Sequence, residues 1–441
     1  MSAPVTQSPA EGFVPAHDVV EPSLAPRRRL VSGISILLAG IISVLGWGVG
    51  ADSGDAAFRF SQPGEAVTIP TLRVPGAIAA MALGVGIIAL GLWQLVRGFR
   101  RSQMKWVIPL AVVAFVISFL CWAGTGSHGN AIDVVGVLQQ TLFLSIPLIL
   151  GALSGILCER TGVINIAIEG QMLVGAFAGA FGSSVAHNLG VGLVFAIVGG
   201  GLIGALLAVF AIKFLVNQVV LGVVVNALAL GLTGYGFDAL MQNDSARYNS
   251  GHTLPSWRIP GLADIPVIGK PLFDANIIVY ATYLLIIVID VALFRTRWGL
   301  RTRAVGEHPK AADTVGIKVA ATRYRNVVLG GLVAGLAGAY LTLGSSGAFS
   351  KSVTGMTSGK GFIALAAVIF GGWSPRGAIG AALLFGFTSE LQTLLSAIGT
   401  PVTIPANFLL MLPYLVTLLA VTGLVGSVRA PAADGVPYVK A

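Results

Sequence analysis

Few residues of this 441-residue chain can do chemistry, and most sit where apolar sequence begins or ends. Glu159-Arg160-Thr161-Gly162-Val163-Ile164-Asn165-Ile166-Ala167-Ile168-Glu169-Gly170-Gln171 joins two long apolar runs. Read as helix, Asn165 and Glu169 are four apart and share a face. A carboxylate entering an apolar domain is costly unless it is paired or faces water. The segment is therefore a polar hinge beside a transport path, or a hydrogen-bonded clamp at the end of a bundle. Asn226 and Thr233 are seven apart, nearly on one face, and follow Asn217-Gln218. They either line a cavity for a polar solute or glue helices together. Glu390, with Gln392, is a polar group in another apolar run. Gly359-Lys360-Gly361 and Gly371-Gly372 bracket a short apolar stretch, either an interrupted helix offering its backbone to a solute or a tight turn. Phe362 and Trp373 could stack on a base, while a neutral solute calls for amides and hydroxyls. The candidate pathway residues are Asn165, Glu169, Asn226, Phe362, Trp373 and Glu390. Asp290, about a turn from Arg295, reads as a side chain snorkelling to an interface.

Other chemistries are missing. No His/Asp/Glu set has metal or acid–base spacing, so no metal site and no catalytic residues are expected. Gly355-Met356-Thr357-Ser358-Gly359-Lys360-Gly361 approaches a phosphate-binding loop, but it has three residues between glycines instead of four. Gly also replaces the hydroxyl that would hold Mg²⁺. The chain is not expected to be an enzyme or to bind a cofactor. Energy, if needed, comes from another chain. Cys121 and Cys158 read as small buried residues, with no disulfide framework.

The elements that position these residues must be membrane helices. Charged residues make up 10 % and hydrophobic residues 55 %, with a mean hydropathy of +0.86. A soluble domain carries about 25 % charged residues. Fifty-eight glycines suit close helix packing. The predicted fold class is an all-α polytopic membrane protein. About twelve segments are expected, near 30–50, 74–96, 106–123, 134–157, 171–187, 191–212, 219–240, 276–294, 326–343, 361–372, 377–397 and 406–426. The tenth is too short to span and reads as re-entrant or broken. The run from Leu30 exceeds a signal-peptide core of about 7–15 residues, so a retained helix is expected.

The net charge of +9 does not call for nucleic acid, because the basic residues are dispersed among loops of one face. With the N-terminus inside and every segment crossing, 20 Lys/Arg fall inside and seven outside. That predicts N-in and C-in. The longest exterior loop, 241–275, holds Pro255, Pro260, Pro266 and Pro271, and is expected to be stiff and non-helical. It is a structural cap or a receiver for an outer partner. The longest polar stretch, Arg295 to Arg325, carries eight Lys/Arg in 31 residues. Within it Pro309 suits a first helical turn and Gly316 a helix end. A short helix, within Pro309 to Ile317, is expected to lie on the inner face and dock into a soluble partner.

The segment Glu159 to Gly170, the loop Arg303-Ala304-Val305-Gly306-Glu307-His308-Pro309 through Gly316-Ile317, and the run Gly361 to Pro375 resemble the permease subunits of bacterial ABC importers. The branch is that of branched-chain amino acid and ribose-type permeases. Gly162 to Gly170 and Pro413-Tyr414-Leu415 are most similar to the nucleoside permeases served by basic-membrane-protein-like lipoproteins. The likeness covers about 130 to 426. It implies two permease chains, alike or different, around a pore and two cytoplasmic ABC ATPase subunits that bind ATP and Mg. An extracytoplasmic substrate-binding lipoprotein would deliver the small-molecule solute across the lipid of the bacterial cell membrane. It also implies that Glu307, Pro309, Lys310, Ala311, Ala312, Asp313 and Gly316 couple to the ATPase. The family loop carries Glu-Ala-Ala, three residues, then Gly; here Lys310 stands in the Glu position. The implied organisation is a tail at 1–29, additional spans at 30–123, a permease core at 124–427 and a tail at 428–441.

The expected function is an importer permease for nucleosides working by alternating access. The same machine could carry a simple sugar or branched-chain amino acid. An ion-coupled secondary transporter is the alternative of another class, but it calls for membrane-centre carboxylates. Asp238, Asp290 and Glu390 lie near span ends or alone.

Overall fold

The computed structural model describes residues 26–50, 54–62, 67–126, 130–353, 355–398 and 429–440, with 405, 408 and 411 as isolated positions. The helices are α1 Pro26–Ile42, α2 Gly76–Val96, α3 Arg101–Thr125, α4 Val134–Glu159, α5 Ile168–Ala186, α6 Leu189–Ala208, α7 Gln218–Gly236, α8 Ser245–Tyr248, α9 Gly269–Phe273, α10 Ile277–Arg295, α11 Arg297–Glu307, α12 Pro309–Thr314, α13 Val319–Leu341, α14 Lys360–Phe370 and α15 Pro375–Ile398. Short π-helical turns continue α1, α6, α7 and α13. Nine helices among the described residues, counted with these turns, are long and apolar enough to cross a membrane. The chain is a polytopic helical membrane protein. The expected segment 406–426 lies outside the described residues apart from positions 408 and 411, as do Pro413-Tyr414-Leu415 and nearly all of the 1–29 tail.

Two compact units divide the chain, one from 58 and earlier with 72–132, the other 133–397 with 59–71 and the C-terminal residues. In the first, α1, α2 and α3 pack together, and Asp55–Arg59 pairs antiparallel with Leu72–Pro75. Arg29 donates to the carbonyls of Gln94 (3.1 Å) and Leu95 (2.9 Å), satisfying the free C-terminal end of α2. Trp47 packs on Phe115 and Phe119.

In the second unit α4 is the central post, with 89 % of its apolar window buried against 28 % for α7 or α10. Leu150, Leu153 and Ile156 on α4 face Ile168 and Met172 of α5, Ala334 and Ala337 of α13, and Val368 of α14. Helices α6 and α13 meet through glycine. A Cβ on Gly331 would sit 2.6 Å from the Gly200 carbonyl oxygen and 2.9 Å from the Gly204 Cα. Without a hydrophobic driving force inside lipid, such backbone approach supplies the attraction between helices.

Between α7 and α10 the proline-bearing loop is partly helical, contrary to the expected non-helical loop. Asp244 caps α8 by accepting from the Arg247 N–H, and Pro271 falls in the first turn of α9, where a missing donor costs nothing. Ser256–Arg258 pairs antiparallel with Asp274–Asn276, closing the loop on its own far end.

Gly331→Leu is expected to cost on the order of 3 kcal/mol by overpacking. Gly231→Leu, with nothing within 4 Å of its Cβ position, should be close to neutral. Thermal unfolding followed with a thiol-reactive dye checks this, because both Cys121 and Cys158 are free and buried.

Candidate functional site

Glu169 opens α5 and is 7 % exposed. Its Oε1 accepts from the Thr357 hydroxyl (2.5 Å) and the Gly359 N–H (2.8 Å), and its Oε2 from the Gly361 N–H (2.6 Å). Gly359 and Gly361 flank the first residue of α14, so the carboxylate sits on the positive end of that helix. The stretch that approaches a phosphate loop in sequence is thus an anion-binding turn, and its anion is a carboxylate of the same chain. Gly359 has φ +80°, and a Cβ on Gly361 would lie 2.7 Å from Glu169 Oε2. Both glycines are required by this contact.

The chain from Arg160 to Ala167 is a turn and α5 starts only at Ile168, so Asn165 and Glu169 do not share a helical face. Gly162 at φ +82° reverses the chain there. Asn165 Nδ2 donates to Gln171 Oε1 (3.0 Å) and Ser154 Oγ (3.3 Å), while Gln171 Nε2 donates back to Asn165 Oδ1 (3.3 Å). Asn226 spans from α7, accepting from the Gly170 N–H (2.8 Å) and donating to the Ile166 carbonyl (2.9 Å). Gln218 Oε1 accepts from the Ile164 N–H (2.8 Å). The contacts of Asn165 and Asn226 are those of a clamp. Thr233 bonds within its own helix, to the Ala229 carbonyl.

Trp373 is buried and lies away from Glu169. Its indole N–H donates to Glu159 Oε2 (2.5 Å), and its carbonyl accepts from Arg160 Nε (2.8 Å). Both faces of the Gly371–Trp373 turn are therefore tied to the end of α4. Phe362 is 49 % exposed on α14, and Glu390 is buried on α15. Asp290 pairs with the exposed Arg376 at 2.9 Å. Asp238 pairs with Lys351. Sequence reading missed Thr357, Glu159 and Arg376 because each acquires its role from a partner far along the chain.

The 297–318 loop folds as two helices. Thr296 caps α11 by accepting from Gly299 N–H (3.2 Å). Pro309 begins α12, and Lys310, Ala311, Ala312 and Asp313 follow within it. Gly316 N–H bonds the Asp313 carbonyl (2.9 Å) and Ile317 N–H bonds the Ala312 carbonyl (3.0 Å), with Gly316 at φ +84°. This pairing ends a helix on a left-handed residue. Ala312 is buried with Val305 and Val319, whereas Lys310 and Val315 stand on the outer side, Val315 75 % exposed. Glu307, at the end of α11, faces the C-terminal residues.

The structure is a polytopic helical bundle with a polar clamp and a two-helix loop between α10 and α13. The profile of the family described as branched-chain amino acid transport system / permease component matches residues 137–421. The chain belongs to this permease family. Relatives of this permease include the guanosine ABC transporter permease protein NupQ of Bacillus subtilis, 42 % identical over 70 % of this chain and 99 % of the relative. The nucleoside ABC transporter permease protein NupC of Lactococcus lactis is 39 % identical over 70 % and 99 %. A putative glucose ABC transporter permease protein of Haloferax volcanii, TsgC13, is 36 % identical over 58 % and 77 %. No solved structure matches the permease significantly.

Removing the carboxylate would strand two backbone donors and a hydroxyl in an apolar setting. Glu169→Ala is expected to cost roughly 3 kcal/mol, and Glu169→Gln less, because its carbonyl can still accept. The thiol-dye unfolding midpoint orders the three chains.

Proposed function

We propose that this chain is the membrane-spanning subunit of an ATP-driven importer for nucleosides. The observation that carries this reading is similarity over 99 % of the length of two relatives named for guanosine and nucleoside transport. The 20-to-7 division of basic residues favours twelve segments with both ends inside. Residues 124–427 form the transporting core, and 30–123 are additional spans. The site is the bacterial cytoplasmic membrane. A second permease chain, alike or different, completes the pore, two cytoplasmic ATPase subunits hold ATP and Mg, and an outer lipoprotein delivers the solute.

In this reading α12 is the coupling helix. ATPase closure presses on it, and the load passes through Gly306, which lies against the Arg160 carbonyl, into the clamp. From there Trp373 and Glu169 carry it to both ends of α14. The bundle then alternates between inward- and outward-open forms. Asn165, Asn226 and Glu169 hold the moving parts together, while Phe362 and Glu390 remain candidates for the solute path. A sugar cargo has the Haloferax relatives in its favour, at lower identity and coverage.

Vesicles holding the permease with its ATPase and lipoprotein should take up guanosine only with ATP, and excess glucose should not compete. Uptake without ATPase, or competition by glucose but not by inosine, would overturn the assignment. Gly316→Val should separate ATP hydrolysis from uptake while Gly316→Asn is tolerated. The space around Gly316 is open, so the penalty comes from φ +84° alone, about 1–2 kcal/mol for a left-handed residue.

A further inference from the structure

Residues 429–440 are neither helix nor strand, yet they are seated on four separate elements. Ala432 N–H donates to Glu307 Oε2 (3.1 Å) and Ala433 N–H to the Gly306 carbonyl (2.9 Å), both on α11. Gly435 N–H donates to the Gly162 carbonyl (3.3 Å) in the clamp turn. Arg323 of α13, 2 % exposed, reaches both partners, donating from Nε to the Thr161 carbonyl and from Nη1 to the Val436 carbonyl, each at 3.0 Å. Tyr438 packs against the Val305, Ala312 and Val319 cluster, beside Asp313 of α12. The fit is close. A Cβ on Gly162 would lie 2.6 Å from the Ala433 carbonyl oxygen, and one on Gly435 2.7 Å from Ile164.

Ordering a tail costs about 1–2 kcal/mol per residue in backbone entropy alone. A segment held this closely is an integral part of the surface it covers. A six-residue helix such as α12 cannot pass a load by itself, because it is joined to α11 and α13 through single-residue and four-residue links. The strap supplies the missing cross-tie.

We propose that residues 429–440 are the positioning element of the coupling helix, locking α11, α12, the 161–164 turn and the start of α13 into one body that stays assembled through the transport cycle. This rests on the reading of the chain as an importer permease. The strap touches no solute, and its effect is on how much transport each ATP hydrolysed produces.

Asp434 adds a pH dependence. Burial pushes its carboxyl up to about 7, against the pull of the Gly435 N–H and the Arg323 guanidinium. Glu159 of α4 faces it as a second carboxylate, and the Cys158 thiol lies on the same side. The seated carboxyl holds its proton more tightly than the free tail does. Seating is therefore strongest at low pH and weakens as pH rises from about 4 to about 7. Asp434→Asn should flatten that dependence in hydrogen exchange of the 304–317 amides.

The deciding experiment compares the full assembly with a chain ending at residue 428 and with Tyr438→Ala, measuring guanosine uptake and ATP hydrolysis together. Expected is at least a tenfold fall in uptake per ATP, with hydrolysis within about twofold, in both variants. An unchanged ratio overturns the proposal, and where truncation prevents membrane insertion Tyr438→Ala decides alone. Hydrogen exchange at 304–317 should rise at least tenfold on truncation whatever the cargo is; unchanged exchange overturns the proposal even if the full-length assembly imports no guanosine. In a Val319→Cys/Tyr438→Cys chain, mild oxidation should raise uptake per ATP by re-anchoring the strap. Uptake that falls on oxidation and recovers with reductant overturns the proposal, because the strap would then have to release.

Discussion

A carboxylate inside a membrane domain has to be answered by donors, and for Glu169 the donors are the first amides of a helix 190 residues away in sequence. Three consequences follow. The helix that supplies them must begin at that point, which sets Lys360 as the first residue of α14. Its entry must be glycine, since a Cβ at Gly361 would displace the oxygen it binds. The helix that presents the carboxylate must start at Ile168, which forces the preceding residues into a turn. That turn has its own polar groups to satisfy, and Asn165, Gln171, Gln218 and Asn226 do so. The clasp thus fixes where four helices begin or end.

Rigidity elsewhere has a different origin. Helices α6 and α13 approach until backbone touches backbone, through Gly200, Gly204, Gly331 and Gly335. Such contacts have no flexible ends and little room to slide. Polar turns differ, because their hydrogen bonds can exchange partners. The turn at 160–167 and the Gly371–Trp373 turn are the two places of that kind beside α4, and Arg160 bonds one to the other.

Legibility in the sequence followed how local the physics was. Hydrophobic runs located eleven of the twelve expected segments on observed helices, because a lipid-facing helix is encoded by its own residues. The α12 helix was equally plain, since Pro309 and Gly316 mark its ends by conformational preference alone. The proline loop misled because proline excludes helix interiors but not first turns, and Pro271 sits in one. The spacing of Asn165 and Glu169 suggested a shared face, yet Gly162 turns the chain between α4 and α5. Asp290 finds its partner, Arg376, 86 positions away. Buried polar residues announce that they need a partner, but periodicity says nothing about which one.

That limit bears on where a solute can meet this chain. Asn165, Glu169, Asn226 and Trp373 drew notice as polar or aromatic groups in apolar surroundings, and each has its hydrogen-bonding atoms taken up by the protein. A buried amide with both ends bonded could receive a nucleoside only by giving up bonds worth about as much as it would gain. Selection by such groups would weaken the bundle each time a solute passed. A permease fed by a separate binding protein has no need of that trade. It can spend its polar residues on holding the moving blocks in register and leave discrimination to the protein that loads it. Asn165, Glu169, Asn226 and Trp373, each committed to a clamp, fit that division of labour.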